Sequence, residues 1–529
     1  MTTAMLLSTR RSLLRTRNWN LHCRAFTTSK LDPAIRGFVH DLAKHQPCYG
    51  VPSSKINILR EPNRFYQCLL DMVRRADKRI FLSSLYLGSE EAELINVLHA
   101  TLRQKPHLQL RMHLDLNRST RPGPSSTANI LLPLLKDFPD RVHISMFRSP
   151  KLKGVMAKVV PPRFNEGWGT WHPKIYGADD ELLISGANLN ESYFTNRQDR
   201  YIYLSYQPHL AQYCHAFLQT ASSFSYQLLP SESSPQGYDL HWSDTNIHPH
   251  HIESKARNAL STFQETYRLS ATFRIPEKET IEVNPKDDCL IFPIIQGGQF
   301  GIREEERAMS LLFKSFQNTR STSFSNGPVL DLTTGYFGLY RPYRDLVLQS
   351  PVTTRIVASA PKANGFYGSR GLSGRLPEAY TLLEQRFMRA VRAAGRGGDP
   401  HPHHPHIASS TTDLPSTSSE KEPGQLNPGV ELSEWERDGW TYHAKGIWLR
   451  PTPTSTPYLT LFGSTNLNSR SANLDTELSF LLVTTSNSLR DRLAEEVDGL
   501  REYSRPWRGA ERKVRVGTKA LVAIMGGML

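Results

Sequence analysis

The chain has 529 residues, 38% of them hydrophobic and 22% charged, which suits a folded protein of two to four domains and excludes a low-complexity chain. The 64 Lys and Arg against 50 Asp and Glu leave a net charge of +14, so an anionic partner is expected: nucleic acid, an anionic membrane or a phosphorylated substrate. Five scattered cysteines, Cys23, Cys48, Cys68, Cys214 and Cys289, exclude a disulfide framework or a zinc site, and no run reaches the ~20 apolar residues that span a bilayer.

Residues 1–30 carry Arg10, Arg11, Arg15, Arg17, Arg24 and Lys30, with no acid before Asp32. Such a basic, Ser/Thr-rich segment is expected to be a mitochondrial presequence, cut near Phe26 in "RAFTTS". The chain then alternates. "KINIL" (55–59), "RIFLSSLYL" (79–87), "LQLRMHLDL" (108–116) and "VHISMF" (142–147) read as strands. Residues 63–76 and 89–103 read as helices, the second capped by Ser89. The pattern returns later, with strand then helix over 329–350, a strand at 353–360 and a helix at 376–394. "FLSSLYLG" (81–88) and "DLTTGYFG" (331–338) match in kind, which suggests an internal duplication. An α/β fold of two similar halves is therefore expected. The first half covers 31–225, a connecting segment 226–325, and the second half 326–505. A Pro/Ser/Thr-rich disordered insertion falls at 395–430, and a basic tail at 506–529. The insertion's His401, His403, His404 and His406 read as a solvated loop, not a metal site.

The chemistry-bearing residues come in two copies. "WHPK" holds His172 and Lys174, and "YHAK" holds His443 and Lys445. Downstream lie "SGANLN" with Asn188 and "GSTNLN" with Asn466. Eleven residues beyond each Asn is an acid, Asp199 or Glu477. The His-to-Asn spacing is 16 in the first copy and 23 in the second, where a hairpin "RPTPTSTPY" (450–458) fits the difference. Attack on a phosphodiester needs a nucleophile, a proton donor for the leaving group and cations for the phosphoryl oxygens. Two His can share the first two tasks, two Lys and two Asn can hold the oxygens, and an acid beside each His can fix its tautomer. No metal or other cofactor is required. Two exposed edge strands are the bland alternative, which the doubled pattern disfavours.

These residues resemble the phospholipase D superfamily, whose site joins two H-x-K-x4-D halves. The resemblance implies two α/β/α sandwich halves sharing one active site. It makes His172, Lys174, Asp179, His443 and Lys445 catalytic, Asn188 and Asn466 phosphate-binding, and Asp199 and Glu477 the acids that orient the histidines. The second motif departs from the pattern, because Arg450 stands at its acid position. With the first copy intact, His172 is expected as nucleophile and His443 as general acid and base.

Within the superfamily the chain is most similar to mitochondrial phosphatidyltransferases, through "YHAKGIWL" (442–449), "NGFYGSRGLSGRLPEAY" (364–380) and the presequence. The resemblance implies transfer of a phosphatidyl group from CDP-diacylglycerol to sn-glycerol 3-phosphate, with release of CMP. Related enzymes making phosphatidylserine or cardiolipin, and a mitochondrial phosphodiesterase or nuclease, stay open as alternatives. The glycine-rich stretch, with Lys362, Arg370 and Arg375, either closes over a phosphate or is an ordinary loop before Pro377. Arg118, Arg121, Arg197 and Arg200 are candidates for the acceptor's phosphate. The tail is expected to touch an anionic bilayer, the matrix side of the inner mitochondrial membrane. Nucleic acid is not expected, since the halves show no basic stripe interleaved with aromatics.

Overall fold

Two mixed sheets repeat one order of strands in the computed structural model, which describes residues 24–27, 31–123, 125–161, 164–270, 280–283, 288–317, 327–397 and 429–528. In the first sheet Arg79–Ser83 runs parallel to Gln109–Asp115 and antiparallel to Ile175–Ala178. Val142–Phe147 extends one side, Glu181–Ser185 and Tyr201–Leu204 the other. In the second, Val329–Thr334 takes the central place between Thr353–Ser359 and Gly446–Arg450. Val430–Trp435, Leu459–Gly463 and Glu477–Thr484 extend it on either side. Even the register repeats. Ser83 faces Ile175 and Thr333 faces Gly446, each partner three residues beyond its own His.

The strands are near-continuous apolar runs because helices cover both faces of each sheet. Helix Pro62–Arg75 starts with Pro at its first position and buries Phe65, Leu69, Leu70 and Val73 at helical spacing. It shares an outer layer with Ala92–Gln104 and Thr127–Asp137. The other face of the first sheet meets helix Pro208–Ser222, and one apolar cluster runs through that layer into the second sheet, joining Phe81 and Ile184 with Trp448 and Phe480. Each half is thus an α/β/α sandwich, and the two share a core.

Several boundaries differ from expectation. The helix expected from Ser89 begins at Ala92. Gly88 donates its backbone N–H to Leu189 O at 2.7 Å, which holds the chain extended there, and the Ser89 hydroxyl turns to Glu90. Strands described within the segment 226–325 join both sheets. Tyr226–Pro230 and Tyr238–His241 extend the first, while Cys289–Gly297, buried along its length, is a full strand of the second. Tyr49–Val51 pairs with that strand, so the start of the first half also joins the second sheet. The tail folds too, as helix Val516–Met525 packed on Leu376–Ala393 through Val522, Ala379 and Leu382. The presequence lies outside the described residues except for 24–27, whose backbone pairs with 280–283. The four insertion histidines also lie outside them.

Arg450 has its own compensation. Its guanidinium meets the buried Asp331 at 2.9 Å, and Arg355 grips the same carboxylate through two 2.8 Å bonds. Restoring the motif acid by Arg450→Asp would set two carboxylates together in the core. We expect a loss of about 3 kcal/mol or more in denaturant unfolding, and no gain in activity.

Candidate active site

Each H-x-K segment is tied by its backbone to the other half. Trp171 bridges Thr476, where His172 N–H donates to Thr476 O at 2.9 Å. In the same way Thr441–Tyr442 pairs with Arg197–Gln198, and His443 N–H donates to Gln198 O at 2.8 Å. The residue after each bridge is the acid, so the acids cross over. His172 Nδ1 meets Glu477 Oε2 at 2.8 Å, and His443 Nδ1 meets Asp199 Oδ2 at 2.6 Å. Glu477 also accepts from the Ser464 and Ser471 hydroxyls. Space for the opposite pair is kept by Gly186, where a Cβ would stand 2.6 Å from Asp199 Oδ1 and 3.0 Å from Lys445 Nζ.

Behind His172 the fully buried Trp171 stacks on Phe217 at 5.5 Å and donates its Nε1–H to Ser83 at 2.9 Å. Both lysines fold back onto their own segment, Lys174 Nζ to His172 O at 2.6 Å and Lys445 Nζ to His443 O at 2.9 Å. Asn188 donates to the Tyr193 hydroxyl at 3.1 Å, and that hydroxyl lies 3.3 Å from His443 Nε2. Asn466 keeps a buried Oδ1, an acceptor, with no partner among the described residues. Both histidines, both asparagines, Tyr193 and Arg197 line one cavity of about 380 Å³.

The electrostatics separate the two histidines. Burial lowers His172, and Glu477 opposes it. Burial lowers His443 much further, because Lys445, Arg197 and Lys174 add to the effect. Burial also takes Lys445 down to about 8, against the pull of Asp199 and Glu477. Burial raises Asp199 to about 6 although Lys445 opposes it. For Glu477 burial raises the carboxyl, but His172, Lys174 and Ser464 outweigh it and bring it to about 2. His172, Asp475 and Glu477 bring donor atoms within 4.8 Å of one another. Those acids are already engaged, Glu477 with His172 and Asp475 with Thr170 and Arg470.

Asp179 is not brought to the cavity. It sits at the far end of its strand and clamps the backbone N–H groups of Asp77, Lys78 and Arg79 at 2.7–2.9 Å. At the corresponding position of the second half, Arg450 pairs with Asp331 instead. Of the four candidate arginines, Arg200 is buried against Glu496 through bonds of 2.8 and 2.9 Å and does not line the cavity. Arg118 and Arg121 meet Glu166. Arg197 has no acid within ion-pair distance among the described residues. Its guanidinium lies 4.3 Å over the Tyr193 ring, and Nε donates to Thr441 at 3.0 Å. Tyr193, Tyr336, Arg470 and Asp475 line the cavity without having been singled out from sequence. Tyr193 had one usable signal, its place five residues beyond Asn188, where the second copy has Ser471.

No family model matches the chain. It is 32% identical over 484 residues to the mitochondrial CDP-diacylglycerol--glycerol-3-phosphate 3-phosphatidyltransferase of Gallus gallus, covering 86% of this chain and 79% of that one. The enzyme of that name from Schizosaccharomyces pombe is 32% identical over 518 residues, covering 90% and 95%. The mitochondrial enzyme of Homo sapiens is 31% identical over 481 residues, covering 86% and 78%. Among solved structures, the phosphatidylserine synthase of Haemophilus influenzae superposes with a TM-score of 0.63 at 18% identity, covering 94% of this chain and 98% of that one. At that identity the likeness shows the fold alone.

Proposed function

Because this chain belongs to the CDP-diacylglycerol--glycerol-3-phosphate 3-phosphatidyltransferase family, we propose that it runs its reaction as a double displacement between His172 and His443. It is a mitochondrial enzyme that transfers the phosphatidyl group of CDP-diacylglycerol to sn-glycerol 3-phosphate, giving phosphatidylglycerophosphate and CMP. The observation that carries the mechanism is the pair of buried histidines, each held at Nδ1 by the other half's acid, in one cavity.

His172 is the nucleophile in this reading. With Nδ1 bound to Glu477, its Nε2 makes no hydrogen bond among the described residues and is free to attack phosphorus, whereas His443 Nε2 already faces the Tyr193 hydroxyl. The His172 N–P bond forms as the bond from phosphorus to the CMP oxygen breaks, and His443 gives its proton to CMP. Glycerol 3-phosphate then loses a hydroxyl proton to His443 and attacks phosphorus, and the N–P bond breaks. Lys174, Lys445, Asn188 and Asn466 hold the phosphoryl oxygens.

His443 must carry a proton for the first step, yet burial and the cations Lys445, Arg197 and Lys174 disfavour that proton in the free enzyme. The substrate's phosphates neutralise the flanking cations and raise its pKa. The basic limb of kcat/KM, which reports the free enzyme, is therefore expected at lower pH than that of kcat. Coincident limbs would count against His443 as the proton donor.

Arg197 takes the acceptor's phosphate. Arg197→Ala is expected to raise KM for glycerol 3-phosphate roughly 10- to 100-fold, through loss of a charge-assisted hydrogen bond, and to change KM for CDP-diacylglycerol less. The enzyme works on the matrix side of the inner membrane, in peripheral contact with it. The reading as a whole is tested by giving purified protein CDP-diacylglycerol with glycerol 3-phosphate, serine, phosphatidylglycerol or water and identifying the lipid made. Product with water alone would sink it.

A further inference from the structure

Among the described residues, ten large hydrophobic side chains are exposed, and seven fall on three short segments. Val155, Met156 and Val159 project from helix Gly154–Val159. Tyr367 and Leu372 stand on the glycine-rich loop, and Val516 and Ile524 on the C-terminal helix. Val159, Val516 and Ile524 are 68%, 81% and 83% exposed, more than a monomer's stray apolar residue requires.

The three segments surround one opening. Phe366 and Leu372 of the loop line the catalytic cavity together with Leu521, Met525 and Met528 of the C-terminal segment. Phe164 and Gly167, just beyond helix Gly154–Val159, line it too, and a Cβ on Gly167 would stand 3.6 Å from Met528 Sδ. The C-terminal helix is fixed to the loop side through Glu378, which accepts from Arg515 Nε at 2.8 Å and from Thr518 at 2.9 Å. The cavity thus joins the histidines to an apolar rim formed by Phe164, Phe366, Leu372, Leu521, Met525 and Met528, with charged groups such as Arg118, Glu166 and Arg470 also in its lining.

Charge points the same way. The stretches 151–160, 362–376 and 513–528 hold nine Lys and Arg and no Asp or Glu. Lys151, Lys153, Lys158, Arg370, Lys513 and Lys519 are exposed. Apolar side chains interleaved with cations, and no helix long and apolar enough to cross a membrane among the described residues, suit a surface that lies in the headgroup layer.

We propose that this rim is a docking face for an anionic lipid bilayer, and that the donor's acyl chains stay in the bilayer, leaving the cavity between Phe164, Leu372 and the C-terminal helix. Helix Val516–Met525 then has two faces with two tasks. Leu521 and Met525 wall the lipid's path, and Val516 and Ile524 enter the membrane. The identity of the donor rests on the reaction proposed above, but the docking face does not.

The test uses the full chain. Its binding is measured to vesicles of phosphatidylcholine alone and of phosphatidylcholine with phosphatidylglycerol. The wild type is expected to prefer the anionic vesicles. The double variants Val155→Asp/Val159→Asp and Val516→Asp/Ile524→Asp should each weaken binding by about tenfold or more, and Lys513→Glu/Lys519→Glu should weaken it by a similar factor only at low salt. Tyr206→Asp, exposed far from the rim in sequence, should bind as wild type. Transfer from a short-chain, water-soluble CDP-diacylglycerol should persist in every variant, which shows that they fold. Unchanged vesicle binding in the double variants overturns the proposal. So does a loss of self-association without a loss of vesicle binding, which would make the rim a contact between copies of the chain. If the wild type fails to use CDP-diacylglycerol while the variants still lose vesicle binding, the reaction is wrong and the docking face stands.

Discussion

His172→Ala is expected to leave no phosphatidyl-enzyme and to lower kcat by about 10⁴-fold or more, since removal of a nucleophile leaves only the catalysis that binding and oriented donors supply. The measurement is a quench of the protein with CDP-diacylglycerol labelled in its phosphatidyl phosphorus, followed by peptide mapping. Label belongs on the peptide containing His172. His443→Ala should still accept label, slowly, because CMP can depart as an anion without a proton from His443. It should fail to pass the label on, because in the proposed reaction the hydroxyl of glycerol 3-phosphate loses its proton to His443. Label on the His443 peptide would reverse the two roles. Full activity in His172→Ala would end the double displacement.

The second large effect comes from the crossed acids. Glu477→Gln lies in the second half but should disable the first half's histidine. An amide presents an N–H where His172 Nδ1 now finds a carboxylate, and the tautomer with a free Nε2 loses its support. A fall in kcat of about 10²- to 10⁴-fold is expected, with labelling slowed as strongly as turnover. Asp199→Asn should do the converse. It acts on His443, so labelling with CDP-diacylglycerol should be slowed less than release of the phosphatidyl group to the acceptor. Equal slowing of both steps by both variants would show that the acids do not act on separate histidines.

Much of this site was legible because its signals are local. H-x-K on a strand, a small-residue turn, Asn-Leu-Asn and an acid eleven residues on are all set by short-range chain geometry, and their repetition made them specific. The duplicated strand order could be sensed from "FLSSLYLG" and "DLTTGYFG", which occupy corresponding central strands with corresponding register. The crossing of the acids was not legible. An offset along the chain says how far an acid lies from its Asn, not whether the strand carrying it pairs with its own half or the other. The place of Cys289–Gly297 was hidden for the same reason, since an apolar run announces a buried strand but not which sheet takes it. The backbone clamp at Asp179 was not legible either, because a family motif lists residues by spacing, and residues at one spacing serve both chemistry and the backbone. The C-terminal helix looked like a tail because its apolar face is short. Val522 and the half-buried Leu521 and Met525 become meaningful only against helix Leu376–Ala393 and the cavity.

The exchange of acids bears on how such a site arises. One half by itself contains a histidine and an acid that do not meet, so it is chemically incomplete. Two identical halves related by a twofold axis would complete each other, each lending its acid to its neighbour's histidine. A fused chain inherits that arrangement and is released from the symmetry. Two residues before the acids the first half has Arg197 and the second Asp475. Five residues after the asparagines they have Tyr193 and Ser471, and at the motif acid Asp179 and Arg450. A symmetric pair cannot tell an attacking histidine from a proton-carrying one until substrate binds. In this chain the two halves differ in covalent sequence, so the roles proposed for His172 and His443 need not wait for the lipid to be told apart.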